Sequence, residues 1–261
     1  MKRYVFSDIH GSKDLWNQIK SYVNKDDWLY CLGDVIDRGP AGVEIFLDLY
    51  KRPNTIILRG NHEDMAAAAV PPLLAGTAQM DGKWLNEHTK HGEIENTYVL
   101  DWYNNGGILT WRALQKYSKE EIQKIRDIWA TLPTSFIVYD DQNHWYYYLD
   151  HCGFTPSSRA YRLPYWDRLH FDDEWDDWAD GKNVRIIHGH TPVQSFESTF
   201  CPNGFVRYTT LHPEDERMIN YIPQIAVYCG GHKVDIDLAA IDSGRTMLLD
   251  LDKFEPIYFT T

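Results

Sequence analysis

YVFSDIHGSKDLWNQIKSYVNKDDWLYCLGD, residues 4–34, passes from a strand pattern to a helix pattern and back. YVFSD (4–8) is a short apolar run that predicts a buried strand. Ser12 then stands where a helix N-cap would, and Leu15, Trp16, Ile19, Tyr22 and Val23 recur at the spacing of one helix face. DWLYCLGD (27–34) returns to a strand pattern and ends on Gly33-Asp34. The rhythm continues outward. Pro40 suits the first turn of a helix carrying Val43, Ile45, Phe46, Leu47 and Leu49. TIILRG (55–60) predicts a third strand, and an Ala-rich helix follows that Pro71-Pro72 should stop. Strand, helix, strand, helix, strand is the signature of parallel βαβ units, with functional loops at the strand C-termini.

The middle of the chain is more helical, with a capping box from Ser118 to Glu121 opening SKEEIQKIRDIWATL. SFIVYD, HWYYYLDH, VRIIHG, QIAVYC, KVDIDLA, TMLLDLD and PIYFT then read as strands. The class is therefore α/β, βα-rich early and β-rich late. One domain over residues 1–261 is expected, with insertions at about 171–183 and 194–224. The formal charge of −12 argues against a broad nucleic-acid-binding face. Four scattered cysteines (Cys31, Cys152, Cys201 and Cys229) without CxxC spacing argue against a zinc ribbon and fit free thiols in a reducing cytoplasm. MKRYVFSDIHG starts a strand at once, with no apolar run long enough for a signal peptide or membrane span.

Three strand ends collect unusual residues. In SDIHG, Asp8 and His10 would project to the same side of an extended segment and form a metal half-site, or act as a helix cap and a surface histidine. In GDVIDRG, Asp34 and Asp37 stand beside Arg38, either as a salt-bridged turn or around a cation. In LRGNHED, Asn61 offers an amide oxygen and His62 a titratable ring just after Arg59.

Together, D-x-H-G, G-D-x-x-D-R-G and R-G-N-H-E, about 25 residues apart, resemble the calcineurin-like metallophosphoesterases. They are most similar to the phosphoprotein phosphatase branch, which includes bacterial and phage protein phosphatases and symmetrical diadenosine tetraphosphate hydrolases. LDHCGF resembles a further ligand loop and nominates His151; WDR (166–168) nominates Arg168; GHTP (189–192) nominates His190. N-G-G at 105–107 also resembles the phage-type enzymes and is read as a tight turn near the site, without a catalytic role. The resemblance implies a four-layer α/β/β/α sandwich of two mixed sheets. It implies two divalent transition-metal ions, Mn first and Fe or Zn after it, one held by Asp8, His10 and Asp34, the other by Asp34, Asn61, His151 and His190. Many superfamily members have a second histidine two residues after the one in this loop; Pro192 stands there here.

Two such cations would supply a bridging hydroxide in line with phosphorus. Arg38, Arg59 and Arg168 would grip phosphate oxygens, and His62, oriented by Asp37, would protonate the leaving group. The expected activity is hydrolysis of phosphate monoesters, as in protein serine/threonine phosphatases, with no nucleic-acid or membrane partner. A dinucleoside polyphosphate hydrolase is the alternative, and a non-catalytic binding module ranks below both. His188 reads as a structural strand-end histidine or as a neighbour of the metal set. His88, His91, His144, His170, His212 and His232 carry no motif.

Overall fold

A computed structural model describes residues 1–89, 94–153, 183–193, 224–228 and 231–261. The βαβ opening is present as β1 (Arg3–Phe6), α1 (Lys13–Tyr22), β2 (Trp28–Cys31), α2 (Gly42–Lys51) and β3 (Thr55–Ile57). Helices α3 (Asn61–Ala75), α4 (Gly82–Thr89), α5 (Ile94–Asn104), α6 (Ile108–Leu114) and α7 (Lys119–Thr131) follow. Then come β4 (Ser135–Asp140), β5 (Trp145–Asp150), β6 (Val184–His188), β7 (Ala226–Tyr228), β8 (Lys233–Asp235), α8 (Ala240–Ser243), β9 (Arg245–Asp250) and β10 (Glu255–Thr260).

The strands build two mixed sheets, ordered β10-β9-β1-β2-β3 and β4-β5-β6-β8-β7. β1, β2 and β3 are parallel in the first; β5, β6 and β8 are parallel in the second. Alternation along β1 explains the layering. Tyr4 and Phe6 join a core shared with the helices, while Val5 faces the second core with Tyr30, Tyr147, Leu149, Ile187 and Leu249, drawn from both sheets. Strands buried on both faces are therefore continuously apolar, as the YVF and LYCL runs are. All eight described helices contribute buried residues to the first core and none to the second. On the second sheet's strands, Ile137, Tyr139 and Tyr146 are exposed, and its covering helical layer is not seen among the described residues. Among those residues no helix is long and apolar enough to cross a membrane.

Three local expectations change. The strands leading to the motifs stop early, β1 at Phe6, β2 at Cys31 and β3 at Ile57, so the motif residues sit beyond them, in loops after β1 and β2 and in the first turn of α3 after β3. The Ala-rich helix α3 runs through Pro71-Pro72 to Ala75 and ends at Gly76 in the left-handed region (φ 75°). Pro71 has no N–H for the carbonyl of Ala67, and the Arg126 Nε–H from α7 donates to that oxygen instead, at 2.7 Å. Pro40 precedes α2, which begins at Gly42, and Ala41 N–H is held by Gly11 O at 3.3 Å. Ser12 takes the N-cap position of α1 without a capping bond from its hydroxyl, whereas the Ser118–Glu121 capping box is formed in both directions. Apart from Asn183 and Gln224, the two expected insertions lie outside the described residues.

Candidate metal centre and catalytic site

The loops after β1 and β2 carry Asp8 and His10, then Asp34, Asp37 and Arg38, and the first turn of α3, just beyond β3, carries Asn61 and His62. The loops after β5 and β6 bring His151 and His190 from the other sheet. The site thus forms at the C-terminal ends of parallel strands, on the seam between the sheets. The loops lock together through backbone bonds: Asp8 N–H to Gly33 O (3.2 Å), His10 N–H to Asp34 O (3.0 Å) and Gly11 N–H to Val35 O (2.8 Å). Of ten non-glycine residues with positive φ among those described, six are Asp8, His10, Asp34, Asp37, Arg38 and His190. Backbone held in this region costs free energy and concentrates where side-chain placement matters. Strand alternation therefore does not align Asp8 with His10, or His188 with His190; the left-handed loops do the aiming.

Asp34 is the centre of the arrangement. Its Oδ2 lies 3.7 Å from His10 Nε2 and 3.8 Å from His62 Nε2, and its Oδ1 lies 3.4 Å from His151 Nε2. Donor atoms of His10, Asp34 and His62 form one compact group, and those of Asp34, His151 and His190 another, each within 4.8 Å. Asn61 Oδ1 sits 2.9 Å from both His151 Nε2 and His190 Nδ1. Asp8 belongs to neither group; its Oδ2 accepts the Ser7 hydroxyl and His190 N–H (3.0 Å). Its Oδ1 is buried without a hydrogen-bond partner among the described residues. Gly60 is required beside Asp34, because a Cβ there would overlap the Asp34 carboxylate and backbone N.

The tautomers follow from the partners. His10 Nδ1 faces Ile36 O at 2.9 Å and His151 Nδ1 faces Leu32 O at 3.0 Å. A carbonyl only accepts, so both Nδ1 atoms carry hydrogen and both Nε2 atoms turn toward Asp34. Backbone support of the far ring nitrogen is the usual second layer of a histidine–metal site. Burial opposes charge on His151, yet Asp34, Asp8 and Glu63 outweigh it and carry its pKa up to about 10. Burial instead drives His190 down to about 3. The orphaned Asp8 Oδ1 and the inward Nε2 atoms fit borderline divalent metals, and the oxygen and nitrogen donors include no thiolate. The buried Cys31 and Cys152 direct their thiols at Gly33 O and Gly153 O.

Beside this centre, His62 Nδ1 donates to Asp37 Oδ2 at 2.8 Å, and Arg38 Nη2 lies 3.2 Å from His62 Nε2. Burial works against a charged ring; Asp34 and then Asp37 outweigh it, and the His62 pKa is raised. Three further residues without an expected role hold the surrounding loops in place. Glu63, the last letter of RGNHE, is fully buried and accepts N–H bonds from Asp34 (2.9 Å), Val35 (2.9 Å), Gly60 (3.0 Å) and Ile36 (3.4 Å). Trp102 and Thr110 flank the N-G-G turn and reach Asp37. Arg59 meets a different partner from the one expected: its Nη1 donates to Ala130 O (2.9 Å) in the last turn of α7 and lies 3.6 Å from Asp64 Oδ1. A helix C-terminus attracts a cation in this way. Arg168 lies outside the described residues.

His188 is fully buried at the end of β6, with Nδ1 3.2 Å from Gly189 O and 3.9 Å from Asp235 Oδ1, and it belongs to neither donor group. Of the histidines without a motif, His88, His144 and His232 bond to Trp84 O, the Tyr139 hydroxyl and Val184 O. His91, His170 and His212 lie outside the described residues.

Comparison with known proteins gives the family. Two curated relatives, each a symmetrical bis(5'-nucleosyl)-tetraphosphatase, match over 67 residues. They come from Buchnera aphidicola (34% identity) and Wigglesworthia glossinidia brevipalpis (33%). The match covers 24% of this chain and 24–25% of those proteins, so it spans about a quarter of their length. A crystal structure described as that of a candidate diadenosine tetraphosphatase shares the fold, with TM-score 0.51 and 14% identity over 99% of this chain and 93% of that one. The model of the calcineurin-like phosphoesterase family matches residues 1–235. With most of its length matched, the chain belongs to the calcineurin-like phosphoesterase family.

Proposed function

We propose that this protein is a phosphoesterase dependent on two divalent metal ions, acting on phosphate monoesters in the manner of protein serine/threonine phosphatases. One observation carries the reading: Asp34 stands between two donor groups, and the His62–Asp37 pair adjoins one of them. Asp8, His10 and Asp34 would hold one ion, and Asp34, Asn61, His151 and His190 the other, with Mn proposed first and Fe or Zn after it. Bound there, the ions would supply Lewis acidity toward phosphate oxygens and activation of water.

The chain's own residues do the rest. Arg38, placed against His62, would neutralise a non-bridging phosphate oxygen. Arg168 is proposed for the same task, and Arg59 only if its guanidinium leaves α7. Asp37 fixes the His62 ring with its Nδ1–H occupied, so Nε2 is the atom that would deliver a proton to the departing alkoxide. The free, buried Cys31 fits a cytoplasmic setting.

A second reading, hydrolysis of dinucleoside polyphosphates, is favoured by the names of the two curated relatives. Mn²⁺-loaded protein assayed on 4-nitrophenyl phosphate, a phosphopeptide and diadenosine tetraphosphate separates the two. Turnover of the monoesters is the expected result. Activity on the dinucleotide alone replaces the first reading with the second, and inactivity on all three overturns both.

A further inference from the structure

We propose that Trp102 and Thr110, on the α5–α6 helical pair, are positioning residues for the acid dyad. Asp37 is fully buried, and its Oδ2 receives two N–H donors, His62 Nδ1 at 2.8 Å and Trp102 Nε1 at 2.7 Å. Its Oδ1 has no hydrogen-bond partner among the described residues. An indole N–H donates and never accepts, so its bond to this carboxylate is charge-assisted and sets the plane in which the second donor must approach. Without it, the carboxylate would keep a single anchor and could swing about its Cβ–Cγ bond. From the other side, Thr110 Oγ1 accepts the Asp37 backbone N–H at 2.9 Å, at a residue whose φ of 68° few side chains adopt unaided.

The turn between the two helices is built around these contacts. Gly107 packs on the Trp102 indole so closely that a Cβ would fall 2.6 Å from three of its ring atoms. Gly106 O accepts Arg38 N–H at 3.4 Å, so the same turn also touches the residue next to Asp37. Trp102, Thr110, Asp37 and His62 are all buried, which shields the chain of bonds from competing water. The N-G-G turn thereby acts through its flanking residues: it reaches the leaving-group proton by way of Asp37 and His62. This inference rests on the acid role proposed for His62.

The test is a series of aryl phosphates whose leaving groups range from dinitrophenol to phenol, assayed with Trp102→Phe, Thr110→Val, Thr110→Ser and His62→Asn. A general acid matters most for poor leaving groups, so a defect in positioning grows along the series, whereas a general structural defect lowers every substrate alike. Trp102→Phe and Thr110→Val are expected to lower kcat on phenyl phosphate by roughly 10-fold to 100-fold, part of the 10²–10⁴ that acid catalysis supplies. On dinitrophenyl phosphate the loss should stay within about 3-fold, since little protonation is needed. Thr110→Ser should restore the slope, and Trp102→Phe should add nothing to His62→Asn. Independently of turnover, ¹⁵N shifts of the His62 ring in zinc-loaded protein should move in both Trp102→Phe and Thr110→Val. Equal losses on all substrates with unchanged His62 shifts overturn the inference while leaving His62 as the acid. A flat series for His62→Asn overturns the acid role and the inference with it.

Discussion

Among single residues, His62 is the one whose setting matters most to the proposed chemistry. Its ring is fully buried, Nδ1 is committed to Asp37, and Nε2 stands 3.8 Å from Asp34 Oδ2. His62→Asn is therefore expected to lower kcat by about 10²–10⁴ on an ester with a poor leaving group. Metal content, read by elemental analysis after desalting, should stay at the wild-type value. A variant emptied of metal would make His62 a ligand, which its place in the His10–Asp34 group keeps as a concrete alternative. The residue types of the site were legible because each motif pairs carboxylates, amides and imidazoles at a strand's end. Their aim was not. Positive φ at Asp8, His10 and Asp34 arises from loop-to-loop backbone bonds, such as His10 N–H to Asp34 O at 3.0 Å, and no local pattern encodes these. Arg59 shows the same limit: its neighbours in sequence point to phosphate, and its partner Ala130 is 71 positions away.

At the scale of elements, periodicity placed all ten described strands, because each contributes apolar residues to one or both cores. The prolines of α3 misled because the bond that Pro71 cannot make is made from outside the helix. Arg126 Nε–H supplies it at 2.7 Å, and α3 packs against α7. Arg126→Met keeps the aliphatic stem but leaves the Ala67 carbonyl without that donor. It should destabilise the fold by about 1–2 kcal/mol, read as a lower urea midpoint with an unchanged slope. Unchanged stability would mean that water satisfies the carbonyl equally well. The N-G-G turn was legible as a turn near the site, but its flanking Trp102 and Thr110 were not, since their contact with Asp37 spans 65 and 73 positions.

At the scale of the whole molecule, the site exists only where two sheets meet. Arg3 of β1 ties that seam on its far side from the loops: Nη1 donates to Tyr139 O at 2.8 Å and Nη2 to Asp140 Oδ1 at 3.2 Å, both on β4. Burial raises the Asp140 pKa, but the Asn143 amide, Gln142 N–H and Arg3 outweigh it and hold the carboxyl below its ordinary range. A depressed carboxyl contributes stability above its unfolded pKa of about 3.9 and loses it as pH falls through the folded value. Asp140→Asn should therefore cost roughly 1–2 kcal/mol at pH 7, with the gap from wild type closing below about pH 4. A gap that persists in acid would assign the effect to packing instead.

The central claim is that donors from both sheets assemble one centre for two metal ions, on which phosphate-ester hydrolysis depends. Its most direct test is to strip the protein of metal, titrate it with Mn²⁺, and follow hydrolysis of 4-nitrophenyl phosphate and diadenosine tetraphosphate together. The stripped protein should show no turnover, activity should saturate at two equivalents per chain, and Asp34→Asn should lose that activity. Turnover that survives in chelator, or two bound equivalents without hydrolysis of either substrate, would contradict that claim.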